Sequence, residues 1–106
     1  MKRVIDTTEV LGTVEARPGT CEVCASADAS YDERAKRLVV RLDAFLRTTD
    51  LRTKEKRVRA AWLPKPETVR ERVGPEETVD LAREIFQRWA RKVRQAFPAV
   101  TVHQSA

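Results

Sequence analysis

The sequence predicts an α+β fold of the ferredoxin-like βαββαβ kind, with two helices on one face of a four-stranded antiparallel sheet and residues 1–106 forming a single domain. Three observations lead there. Two segments carry apolar residues at helical spacing behind start signals, both ends of the chain have strand character, and the stretch between the helices alternates basic and apolar side chains ahead of a proline turn. If the middle stretch is helical instead, the chain becomes mostly helical with a short pairing of its terminal strands. The hairpin reading is favoured because two terminal strands alone make a marginal sheet.

Residues 9–16 contain Val10, Thr13 and Val14 and close at Pro18 and Gly19, as a strand running into a turn does. Ser30, Tyr31, Asp32 and Glu33 have the form of a capping box, and Ala35, Leu38, Val39, Leu42, Phe45 and Leu46 follow as one helical stripe, ended by Thr48, Thr49 and Asp50. Off that stripe lie Arg34, Lys36, Arg37, Arg41 and Arg47, the pattern of a solvated charged face. Residues 57–62 and 68–73 read as the two arms of a hairpin around Pro64, Lys65 and Pro66. Against this, Lys54 opens a run of good helix formers, and period two puts Glu71 on the same face as Val69 and Val73. The last helix starts at about Pro75, with Glu76 and Glu77 at the positive end of its dipole. Leu81, Ile85, Phe86, Trp89, Val93 and Phe97 form its stripe, and Pro98 stops it. Residues 99–103 alternate as a final strand.

Composition narrows the function classes. The chain has 106 residues, 21 Lys and Arg against 16 Asp and Glu, and a formal charge of +5. Its longest apolar run, Ala60, Ala61, Trp62 and Leu63, is far short of the ~20 residues a membrane span needs. Asp6 and Thr7 follow Lys2 and Arg3 too soon for a signal peptide, so the expected location is cytoplasmic with no membrane partner. Charge is uneven: −3 over residues 1–32, +7 over 33–66 and +1 over 67–106. Fifteen of the bases are Arg, which grips phosphates and carboxylates bidentately.

Two features could carry chemistry. Thr20, Cys21, Glu22, Val23 and Cys24 set two thiols three residues apart, in what reads as the loop before the first long helix. Two thiolates at that spacing can hold one soft metal ion, copper or zinc, or close a redox-active disulfide; incidental cysteines are the plain alternative. A zinc site wants about four ligands, and His103 is the only other nitrogen or sulfur donor of the usual kind. A CxxC in that loop of a βαββαβ domain resembles the heavy-metal-associated domains of copper chaperones and metal-transport ATPases. Thr20, Cys21 and Cys24 are the matching residues, while Pro18 and Gly19 stand where that family has Gly-Met. The resemblance implies Cys21 and Cys24 as the metal ligands.

The second feature is a basic face. If Val58, Ala60 and Trp62 point to the helices, Arg57 and Arg59 point to the open side of the sheet, and Arg70 and Arg72 join them with Val69 and Val73 turned inward. These four arginines are the candidate anion or nucleic-acid site, with Thr101 and His103 as neighbours. A solvated face, or an interface between copies, is the plain alternative. Trp62 has the opposite parity, so the face lacks aromatics on which bases stack. No Gly-rich phosphate loop and no Ser, His and acid order is present. The function expected is therefore a non-enzymatic binding or assembly domain, homo-oligomeric, whose basic face meets nucleic acid or an acidic protein. The alternative is a metal-handling or redox protein built on Cys21 and Cys24.

Overall fold

The computed structural model describes residues 1–16, 19–48, 56–97 and 102–104. Pro18, Thr49, Asp50, Lys54, Pro98 and Thr101, to which the sequence gives turn, stop, helix-forming or neighbour roles, lie outside the described residues.

Alternation of buried and less buried side chains, interrupted at residues 23–25 and 44–46 where three in a row are buried, builds the body of the molecule. Strand β1 (Lys2–Ala16) pairs antiparallel with β2 (Gly19–Asp32), which pairs antiparallel with β3 (Arg37–Thr48). The outer edge of β3 is shared by two shorter strands. One is β4 (Arg57–Val58), opposite Leu46 and Arg47, and the other is β5 (Glu67–Arg72), opposite the first half of β3. On the far side, β6 (Val102–Gln104) pairs with β1 at Gly12, Thr13 and Val14. A 3₁₀ turn at Pro75–Glu77 leads into the helix α1 (Thr78–Gln95), which packs across β1, β2 and β3.

The core lies between α1 and one face of this sheet. From β2 come Cys21, Val23, Ala25, Ala27, Ala29 and Tyr31, and in register with them β3 supplies Leu46, Ala44, Leu42, Val40 and Leu38, all buried. The helix answers with Ala82, Ile85, Phe86, Trp89, Ala90 and Val93. Small residues on both surfaces, three alanines on β2 and two on α1, let the helix approach the sheet closely. Each large apolar side chain so covered contributes about 1.5–3 kcal/mol. Two polar ends are satisfied within this layer: Trp89 Nε1 donates to the Asp43 carbonyl at 2.8 Å, and the Tyr31 hydroxyl donates to the Val73 carbonyl at 2.7 Å. Buried Trp and Tyr need such partners.

This architecture replaces the ferredoxin-like βαββαβ arrangement and also the mostly helical alternative. The sheet dominates and the described residues hold one α-helix, the expected C-terminal one. The segment read as the first helix is β3. Its stripe, Leu38, Val39, Leu42, Phe45 and Leu46, mixes residues from both faces of a strand, whereas Leu38, Val40, Leu42, Ala44 and Leu46 form one buried face at period two. The capping signal serves a turn instead: Asp32 Oδ1 accepts the N–H groups of Arg34 and Ala35, and Lys36 closes the hairpin at φ 49°. The segment expected to be the cysteine loop is the first part of β2. The two hairpin arms do not pair with each other, because each adds to β3 and residues 61–63 form a turn between them. Among the described residues no helix is long and apolar enough to cross a membrane.

Candidate anion-binding surface

Alternation sends every second side chain of β2, β3 and β5, and of β1 apart from its register shifts at Arg3/Ile5 and Val10/Gly12, to the face of the sheet away from α1. Across the strands these residues fall in rows: Asp32, Arg37 and Arg72; then Ser30, Val39 and Arg70; then Asp28, Arg41 and Thr68; then Ser26 with Asp43; then Val10, Cys24 and Phe45; then Glu22, Arg47 and Arg57.

The cysteines are divided by the same rule. Cys21 stands in register with Val14 on the α1 side, whereas Cys24 stands with Val10 and Phe45 on the other. Residues three apart in a strand point to opposite faces and lie about 10 Å apart along it. Both are buried thiols, and the β2 geometry does not bring them together on one ion. Among the described residues no group of three or more His, Cys, Asp or Glu converges to hold a metal.

Over much of the second face charges neutralise each other. Arg47 pairs with Glu22 at 3.1 Å, and Arg3 lies 3.7 Å from Asp28 and 3.5 Å from Asp6. Arg57 and Arg59, two of the four candidate anion ligands, are engaged here. The Arg57 guanidinium stacks 4.3 Å over the Phe45 ring, and Arg59 donates to Asp43 Oδ1 at 2.9 Å and to the Pro64 carbonyl at 2.8 Å. Asp43 Oδ1 also accepts the Ala44 N–H, in the gap left between β4 and β5. A groove of about 420 Å³ beside that gap is lined by Asp6, Asp28, Asp43 and Glu67 against Arg41 and Arg57. Four carboxylates outweigh two guanidiniums, so this groove does not favour an anion.

The hairpin end of the face is different. Arg37 and Arg72 stand directly opposite each other, and Arg70 is the diagonal neighbour of both Arg37 and Arg41. Diagonal neighbours lie about 7–8 Å apart on a sheet, so the four form one cluster. All four are exposed, and none makes an ion pair with a described residue. The nearest acids, Asp28 and Asp32, are on β2, the former beside Arg3 and the latter bonded to turn N–H groups. Charge therefore rises from acid on β2 to arginine on β5. Like charges directly opposite in a sheet are destabilising, so this arrangement costs stability unless an anion joins it.

Of the residues expected from the sequence, Arg70 and Arg72 share this cluster, while Arg57 and Arg59 belong to the ion pairs and stacking around Asp43 and Phe45. Arg37 and Arg41 were missed because helical spacing assigned them to a solvated face. Their signal was present, since Arg37, Val39, Arg41 and Asp43 alternate with Leu38, Val40 and Leu42. His103 pairs through its backbone with Thr13 on the opposite edge of the sheet, away from the arginines. No protein-family model matches the chain, and no curated protein or solved structure matches it either.

Proposed function

We propose that this chain is a non-enzymatic binding domain that docks an acidic polypeptide on the cluster formed by Arg37, Arg41, Arg70 and Arg72. The observation that carries the reading is the Arg37 and Arg72 pair, two like charges in direct cross-strand register with no described acid between them. A binding partner that supplies carboxylates converts that repulsion into charge-assisted hydrogen bonds. Polypeptide is favoured over nucleic acid because, among the described residues, the cluster has no aromatic neighbour to stack a base, Phe45 being taken by Arg57. The test is titration of labelled polyglutamate and of a single-stranded oligonucleotide of similar charge at low and high salt. Polyglutamate should bind, weaken as salt rises, and fail to bind the Arg37→Glu, Arg72→Glu double variant. An oligonucleotide that binds more tightly than polyglutamate would reassign the partner to nucleic acid.

Self-association is a second reading, favoured by β1. Its outer edge pairs with β6 only at Gly12, Thr13 and Val14 among the described residues, leaving the stretch before Gly12 as an edge that a second copy can extend. Light scattering with size-exclusion chromatography tests this; a monomer at high concentration refutes it.

A further inference from the structure

The arginine cluster lies on a strand that is itself an edge, and the two facts are linked by register. Val73 N–H donates to the Lys36 carbonyl at 3.0 Å, so antiparallel alternation turns the backbone groups of Glu71, Val69 and Glu67 toward β3. The N–H and C=O groups of Thr68, Arg70 and Arg72 therefore face outward. Among the described residues no strand pairs on that side. Arg70 and Arg72 thus expose both backbone groups and guanidiniums along one edge.

On the other face of β5, next to α1, lies a shallow groove of about 190 Å³. Its floor is Leu42, Val69, Ile85 and Trp89, and its rim carries Arg88, the exposed Glu71 and the ion pair of Lys92 with Glu67. An extended chain laid along β5 would set alternate side chains beside Arg70 and Arg72 on one face and over this apolar floor on the other.

We infer that β5 accepts an added strand, and that the strand is a peptide in which acidic and apolar residues alternate. The inference rests on the proposed docking of acidic polypeptide and specifies how that docking occurs. Main-chain hydrogen bonds to Thr68, Arg70 and Arg72 supply affinity, and the alternation supplies specificity. A second copy of this chain is the wrong occupant. Antiparallel pairing of β5 with itself about Arg70 sets Arg70 against its own counterpart, and the repulsion blocks that pairing.

The experiment compares two capped hexapeptides of the same composition, Glu-Val-Glu-Val-Glu-Val and Glu-Glu-Glu-Val-Val-Val, with polyglutamate as a charge-only probe. The alternating peptide should bind about ten-fold more tightly than the block peptide. In its presence the amides of Thr68, Arg70 and Arg72 should slow in hydrogen exchange, a readout that needs no variant. Thr68→Pro, which removes one outward donor and no charge, should abolish the preference for alternation. Equal binding of the two hexapeptides, with no slowing at those three amides, would overturn strand addition and leave the arginine docking site standing. Failure of all three ligands to bind at low salt would overturn both, and the arginines would then serve to keep the β5 edge unpaired.

Discussion

On the face that meets α1, β2 presents Cys21, Val23, Ala25, Ala27, Ala29 and Tyr31, all buried; on the other face it presents Glu22, Cys24, Ser26, Asp28 and Ser30, of which Cys24 alone is buried. One strand thus serves two chemistries, separated by a single step in the chain. The first face is held by area, and its small residues set how near the helix comes. The second is held by pairs, Glu22 with Arg47 and Asp43 with Arg59, and a pair needs a neighbour on the adjoining strand. Among the described residues no strand lies beyond β5 in the sheet, and there Arg70 and Arg72 stand beside Arg37 and Arg41 without acids to pair with.

The largest way to break this contrast is to remove the anchor of the covered face. Trp89→Ala empties a site that is 2 % exposed and abandons the bond to the Asp43 carbonyl. It should cost about 3–5 kcal/mol in urea denaturation. Trp89→Phe, which keeps most of the area, should lose much less. A smaller effect comes from enlarging the floor. Ala27→Leu inserts bulk at a buried position of the core, and should cost about 1–3 kcal/mol through overpacking.

The second face predicts the opposite sign. Arg72→Glu places unlike charges across the pair with Arg37, so it should raise stability by about 0.2–1 kcal/mol while weakening polyglutamate binding. A variant that gains stability and loses binding would show that the cluster is kept at a cost. No gain in the denaturation midpoint would mean that solvent already screens the pair. The smallest expected effect is none at all. Treatment with a thiol oxidant should leave the intact mass free of an intrachain Cys21 to Cys24 disulfide, because a strand holds these residues on opposite faces beyond the ~7 Å reach of a disulfide.

How much of this was legible in the sequence follows from which residues occupy each row. The C-terminal helix was legible because Glu76 and Glu77 mark its start and its apolar stripe is built of large side chains. Strand β2 was not, since its inward row is mostly alanine and cysteine, whose small size hides the alternation. Strand β3 satisfied two periods at once: Val39 and Phe45 supply apolar residues to the face that Leu38, Val40 and Leu42 leave, so a helical stripe can be drawn through both. The parity of residues 68–73 was read correctly, which is why Arg70 and Arg72 belong to the cluster. Their companions Arg37 and Arg41 were hidden by the misread strand. For the cysteines, spacing alone carried no information about direction, because three residues bring side chains near each other on a helix and apart on a strand.

The division of β3's outer edge between β4 and β5 gives the molecule a seam at Ala44, bridged by Asp43 and Arg59 and crossed by no ladder bond to a third strand. Two short strands attached on either side of such a seam are separate opening units. The two residues of β4 can detach without disturbing β5, whose end is tied to β2 through Tyr31 and Val73. Hydrogen exchange is therefore expected to show this edge opening in two stages, with the end carrying the arginines the later to exchange.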